Sequence, residues 1–167
     1  KHCMSNTQKY KLIIDLFGVD RFKFNEPIKN YTAYEAGGPA KIFFIAFTIR
    51  ELVKIINMCR ELKLQYFLFG TGSKIMMSDE GFDGLVIKNR TKNIHTLSVK
   101  GKVSKFGIGI EEALVDNARD GKETLVMKAK SIKVLDLKSN IWDIEPKELS
   151  IKKHIVLSSV FRIKAKD

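Results

Sequence analysis

Tyr66-Phe67-Leu68-Phe69-Gly70-Thr71-Gly72-Ser73-Lys74 decides how this chain is read. Four apolar and aromatic residues make a short buried strand. A glycine-rich turn follows at once. Glycine tolerates positive φ and brings no side chain, so successive backbone N–H groups can converge on one concavity suited to a phosphate or pyrophosphate. Ser73 would add a hydroxyl donor and Lys74 a positive charge. The stretch is not a Walker A loop, because the lysine follows the serine and its spacing to glycine is wrong. It is not the dinucleotide fingerprint G-x-G-x-x-G either, since the third glycine is absent and no helix follows. Taken alone, a phosphate nest and a plain tight turn are equally good readings.

Working outward, Thr48-Ile49-Arg50-Glu51 is a capping box in which hydroxyl and carboxylate satisfy free N–H groups reciprocally. It predicts a helix with Leu52, Val53, Ile56, Cys59 and Leu62 on its apolar stripe. Lys41–Phe47 before it and Gly84–Lys88 after the glycine turn read as buried strands, so the helix sits in a βαβ unit. Nearer the N-terminus, Tyr10, Ile13, Ile14 and Phe17 predict a helix capped by Ser5 or Asn6 and stopped by Gly18. Phe22 and Phe24 alternate with basic residues until Pro27. Beyond Lys88 the pattern predicts a hairpin from Ile94–Val99 and Val103–Ile108, then a short helix over Glu111–Arg119. Leu125–Leu137 alternates into a Lys138-Ser139-Asn140 turn. Trp142 and Ile144 lie on the return strand, a turn spans Pro146–Leu149, and Ile155–Ile163 is the last strand. The expected class is α+β with two small lobes, residues 1–88 and 89–167.

The chain has 167 residues, of which 44% are hydrophobic and 29% charged, values of a globular protein rather than a disordered or fibrous one. Its longest apolar runs are strand-sized, and the N-terminus lacks the apolar core of a secretory signal, so a cytoplasmic location is expected. A net charge of +11 favours anionic partners. Lys88, Arg90, Lys92, Lys100, Lys102 and Lys105 have no acidic neighbour between them and read as a solvated basic face. Cys59 reads as a reduced core thiol and Trp142 as a core residue. His2, His95 and His154 lack metal spacing, and Ser158-Ser159 lacks a nucleophile's G-x-S-x-G context. Ser78-Asp79-Glu80-Gly81-Phe82-Asp83-Gly84 is no calcium loop, because Arg90 stands where an EF-hand needs its glutamate.

Three segments together carry a resemblance. Tyr31-Thr32-Ala33-Tyr34-Glu35-Ala36-Gly37-Gly38-Pro39-Ala40 resembles the Y-T-T-F-R-I-G-G-P-A segment of UDP-N-acetylenolpyruvoylglucosamine reductases (MurB). Phe69–Lys74 and Ser78–Ile87 are similar to that family's L-G-G-G-S-N and S-D-E-G-F-D-G-V-V-I, in the same order and separation. Lys133–Leu137, Pro146–Ser150 and Ile155–Phe161 resemble it more faintly. The resemblance implies the FAD-binding domain of the vanillyl-alcohol oxidase / MurB type. It implies FAD as cofactor, NADPH where the chemistry is active, and a dinucleotide and UDP-sugar as partners. Carried over residue by residue, it makes Gly70, Thr71, Gly72, Ser73 and Lys74 contacts of the flavin pyrophosphate. Gly37 and Gly38 would line the same cleft, and Gly107 and Gly109 would form the later glycine turn.

The departures set further expectations. Glu35 stands where many members have Arg, and Lys74 replaces an Asn. Only Lys122–Lys130 fills the place of a long S-x-P-G-x-V-G-G-A stretch that borders the flavin, and the family's Y-R-x-S after Leu149-Ser150 is absent. The substrate domain is not found, and no catalytic residue is assigned. The expectation is a truncated, catalytically incomplete flavin-binding member of a reductase family acting in peptidoglycan synthesis. Two other readings stay open. One is a remnant fold that binds a protein or nucleic-acid partner through its basic surface. The other is a reductase completed by a second chain. Membrane and nucleic acid are not the expected partners.

Overall fold

The computed structural model describes residues 4–72, 75–91, 131–150 and 152–160. The hairpin and helix expected over 94–119, and Gly107 and Gly109 with them, lie outside the described residues.

Helix α1 runs Asn6–Phe17. Ser5 caps it in a reciprocal box with Gln8, and the Gly18 N–H closes it on Ile14 O. Strand β1, Phe22–Pro27, follows and pairs antiparallel with β2, Pro39–Ala46. Helix α2, Ile49–Glu61, begins at the Thr48–Glu51 box and buries Leu52, Ile55, Ile56 and Cys59, while Val53 and Leu62 pack at its flank. Strand β3 is Tyr66–Phe69 and β4 is Phe82–Asn89.

The sheet order is β1-β2-β4-β3, with β4 parallel to both β2 and β3. The two strands joined by α2 are therefore not neighbours, because β4 enters between them. A central strand buried on both faces needs a continuous apolar run, and β2 has one. Ile42, Phe44 and Ala46 face the helical layer with Tyr10, Ile13, Leu52, Ile56, Leu85 and Ile87. Phe43 faces the other side, with Ile28, Phe69, Ile75 and Val86.

A second sheet has the order β6-β5-β7, from β5 (Ser131–Asp136), β6 (Ile141–Ile144) and β7 (His154–Val160). Leu135 and Leu157 join the helical-side core of the first sheet. One Arg60 nitrogen at the end of α2 donates to Asp136 O at 2.6 Å and to Ser139 Oγ at 3.3 Å.

Trp142 departs from its expected core position. It stands 54% exposed on the edge strand β6, and its indole N–H donates to Asp136 Oδ2 at 2.7 Å. That bond, with N–H donors from Asn140 and Lys138, holds the Asp136 carboxyl down at about 2. Cys59 is the buried thiol expected, its pKa pushed up to about 12 by burial. No helix among the described residues is long and apolar enough to cross a membrane.

Candidate functional site

The parallel strands β2, β3 and β4 end at the same edge of the sheet, and the glycine turn leaves β3 at that edge. Ligands of open parallel sheets bind outside these carboxyl ends. From there residues 70–72 and 75–81 carry the chain back to the start of β4. Ile75 and Met77 pack on the sheet face opposite α2.

The segment 28–38 lies beside this crossover and is tied to it by backbone bonds. Ala33 N–H donates to Gly72 O at 3.1 Å, and Gly38 N–H donates to Ser78 O at 2.9 Å. Ile28 N–H donates to Gly38 O and Lys29 N–H to Gly37 O, at 3.1 and 3.2 Å. Both glycine segments recognised in the sequence therefore belong to one layer. What approaches their missing side chains is the protein's own backbone. Gly72 has φ +77°, and a Cβ there would run into the Tyr31 carbonyl. A Cβ on Gly38 would strike the Asp79 carbonyl and the Gly81 N–H. These glycines are required by loop-on-loop contact whether or not a ligand binds.

Gly70 is buried and Thr71 exposed, while Ser73 and Lys74 lie outside the described residues. Gly70 O accepts a hydrogen bond from Lys88 Nζ at 2.7 Å. Lys88 is only 9% exposed and lies 5.0 Å from the Phe69 ring centroid. This corrects the sequence reading, which placed Lys88 on a solvated basic face. Strand alternation sends its stem down beside Phe69, its register partner on β3. The signal was available: Lys88 is the charge that ends the apolar run Leu85-Val86-Ile87.

Next to it, Asn89 is 1% exposed. Its Oδ1 accepts from Thr91 N–H at 3.0 Å and from Thr91 Oγ1 at 2.8 Å, and its buried Nδ2 has no hydrogen-bond partner among the described residues. Tyr31 stacks on Phe43 at 4.5 Å, donates from its hydroxyl to Glu26 at 2.6 Å, and accepts from Lys23 Nζ at 2.8 Å. Burial and the Glu26 carboxylate raise the phenol's pKa, while the phenol's hydrogen bond lowers that of Glu26. Sequence reasoning missed this cluster. Glu35 is exposed, with φ +49°. Among the described residues, no group of three or more His, Cys, Asp or Glu could hold a metal ion.

No family model matches the chain. Curated relatives do. UDP-N-acetylenolpyruvoylglucosamine reductase of Syntrophomonas wolfei is 37% identical over 87 residues, covering 51% of this chain and 29% of the relative. The enzyme of that name from Alkaliphilus oremlandii is 35% identical over 85 residues, covering 51% and 28%. That of Clostridium novyi is 34% identical over 77 residues, covering 46% and 25%. About half of this chain is homologous to the UDP-N-acetylenolpyruvoylglucosamine reductases. The chain spans less than a third of the length of these reductases.

Solved structures with the same fold include alkyldihydroxyacetonephosphate synthase in two crystal forms. Their TM-scores are 0.55 and 0.54 at 9% identity, covering 99% of this chain and 43% and 42% of theirs. The fold is α+β and of the vanillyl-alcohol oxidase type, which the reductase resemblance led one to expect.

Proposed function

We propose that this chain binds FAD, with Gly70, Thr71 and Gly72 receiving the pyrophosphate and Ser73 and Lys74 completing the turn. The observation that carries this reading is the position of the glycine turn. It leaves β3 at the carboxyl edge of three parallel strands, where such folds take their ligands. The reductase homology supports the choice of a flavin dinucleotide over other anions. Gly37 and Gly38 support the turn from the neighbouring segment. Gly107 and Gly109 are assigned as cofactor contacts, in the family's later glycine turn, from the resemblance alone. FAD, when bound, would supply the hydride carrier. This chain's described residues would position its phosphates and keep the turn rigid.

The reading includes a second part. The stretch that borders the flavin in the reductases is shortened within this chain to Lys122–Lys130, and Y-R-x-S is missing before the last strand. Residues 1–167 by themselves therefore bind cofactor without reducing the enolpyruvyl sugar nucleotide with NADPH. A second chain that supplies the missing groups would restore a complete reductase, with a UDP-sugar as substrate in the cytoplasm. The absorption spectrum of the protein as purified tests the first part. Flavin bands that co-elute with the protein are expected. A colourless protein that stays colourless after incubation with FAD would contradict the reading.

A further inference from the structure

We propose that the Tyr34 ring is the stacking surface for the flat ring, adenine or isoalloxazine, of a dinucleotide whose phosphates take the neighbouring glycine turn. The inference rests on the reading of that turn as a phosphate site.

Tyr34 is 59% exposed, yet the backbone that carries it is tied down at several points. Lys29 N–H donates to Gly37 O at 3.2 Å and closes the base of the loop. Inside it, Glu35 N–H donates to Thr32 O at 3.2 Å, which makes Thr32–Glu35 a β-turn with Tyr34 at its third position. Glu35, at φ +49°, leads the chain out of that turn, and Thr32 Oγ1 donates to Ala36 O at 3.0 Å across it. Thr32 itself is buried. The β-turn is docked on the glycine turn, since Ala33 N–H donates to Gly72 O at 3.1 Å. Tyr34 therefore stands one residue and one hydrogen bond away from Gly72.

An exposed aromatic side chain needs no explanation by itself. Its surroundings give this one a use. Ala33 and Ala36 near it carry only methyl groups, so the turn presents one ring between small side chains. A tyrosine has only two χ angles to fix, so a ring on a tied backbone is a rigid surface at low entropic cost. A dinucleotide with its pyrophosphate in the glycine turn carries its rings within a few bonds of those phosphates. Stacking one of them on Tyr34 takes an apolar face of each ring out of water. The glycine turn answers to charge, which any phosphate supplies. Tyr34 adds what a bare phosphate lacks, and so selects nucleotides over inorganic anions.

The test compares Tyr34→Ala, Tyr34→Leu and Tyr34→Phe with the parent by calorimetry. The ligands are FAD, ADP and FMN, with inorganic pyrophosphate measured by displacement of FAD. The expected result is a loss of about tenfold or more in FAD affinity for Y34A, the order found when an aromatic stacking partner is truncated. Y34F keeps the ring and should bind as the parent does, whereas Y34L keeps apolar bulk and should recover only part of the loss. Pyrophosphate affinity and thermal midpoint should be the same in all four proteins, because the exposed ring is no part of the core. The ligand that weakens beside FAD in Y34A identifies the ring, ADP for adenine and FMN for isoalloxazine. Parent-like FAD affinity in Y34A would overturn the role of Tyr34 while leaving FAD binding intact. An equal loss of pyrophosphate affinity would overturn it too, since that result means a disturbed turn rather than a lost stack. A parent protein that binds neither FAD nor ADP would overturn both the inference and the reading beneath it.

Discussion

Gly72 shows how one residue can satisfy two demands at once. Its φ of +77° and its contact with the Tyr31 carbonyl exclude a side chain on conformational and steric grounds together. Gly72→Val is expected to destabilise the protein by about 2–4 kcal/mol in chemical denaturation, the range of strained and overpacked sites, and to abolish FAD binding. A variant that unfolds at the parent's midpoint would mean that the two loops do not dock as described. Glu35 gives a prediction of the opposite sign. It is exposed between Ala33, bound to Gly72, and Gly37, so its charge opposes a dinucleotide in the adjoining turn. Glu35→Arg should tighten FAD binding at low salt, with the gain fading as salt is added. Weaker binding in that variant would place the carboxylate elsewhere. Legibility at this scale was uneven. The resemblance made Gly37 and Gly38 the lining of a cofactor cleft, whereas the group that approaches Gly38 most closely is the protein's own backbone at Asp79 and Gly81, which no local pattern reveals. Lys88 was misread because lysine is normally a surface residue, and only the pairing of β3 with β4 shows what its ammonium reaches.

Helix α2 is the element whose stability follows most directly from named groups. Thr48 Oγ1 accepts from Glu51 N–H at 3.1 Å, and Glu51 Oε2 accepts from Phe47 and Thr48 N–H at 2.9 and 3.3 Å. Arg21, 2.7 Å from Oε1, and then these N–H donors hold the Glu51 carboxyl below its ordinary 4.5. A carboxyl depressed in the folded state adds stability that is present above its unfolded pKa and lost as pH falls through the folded one. The stability of the protein should therefore drop on acidification below 4.5, and less so in Glu51→Gln, which forgoes part of that stability at neutral pH. Equal acid profiles for variant and parent would remove Glu51 from this role. Thr48→Ala should cost about 1 kcal/mol in denaturation experiments, as lost N-caps do. Both helices were legible because capping is local: Ser5, Thr48 and Gly18 mark ends by their own hydrogen bonds. The position of β4 between β2 and β3 was not legible, since strand order depends on pairing across the crossover. Trp142 was misread for a related reason. Alternation marks which face a residue takes, but not whether its strand lies at an edge.

At the scale of the molecule, one sheet carries a helical layer on one face and a layer of glycine loops on the other, and the candidate site lies where those loops leave the strands. The reductase homology covers about half of the chain, whereas the fold likeness covers nearly all of it. The family resemblance was thus legible through two glycine segments more than through the whole. General acid–base and charge-stabilising groups each contribute orders of magnitude to such a reduction, and none has been assigned in this chain. NADPH oxidation dependent on the enolpyruvyl sugar nucleotide is accordingly expected to be absent from a preparation of residues 1–167 freed of the host's own reductase. Turnover there would require a catalytic group beyond those described. The central claim is simpler and is tested most directly by calorimetric titration of flavin-free protein with FAD, using the Gly72→Ala variant as the comparison. Saturable binding at one site in the parent, lost in the variant, is the predicted result. No heat of binding in a folded parent, or equal binding in both proteins, would contradict it.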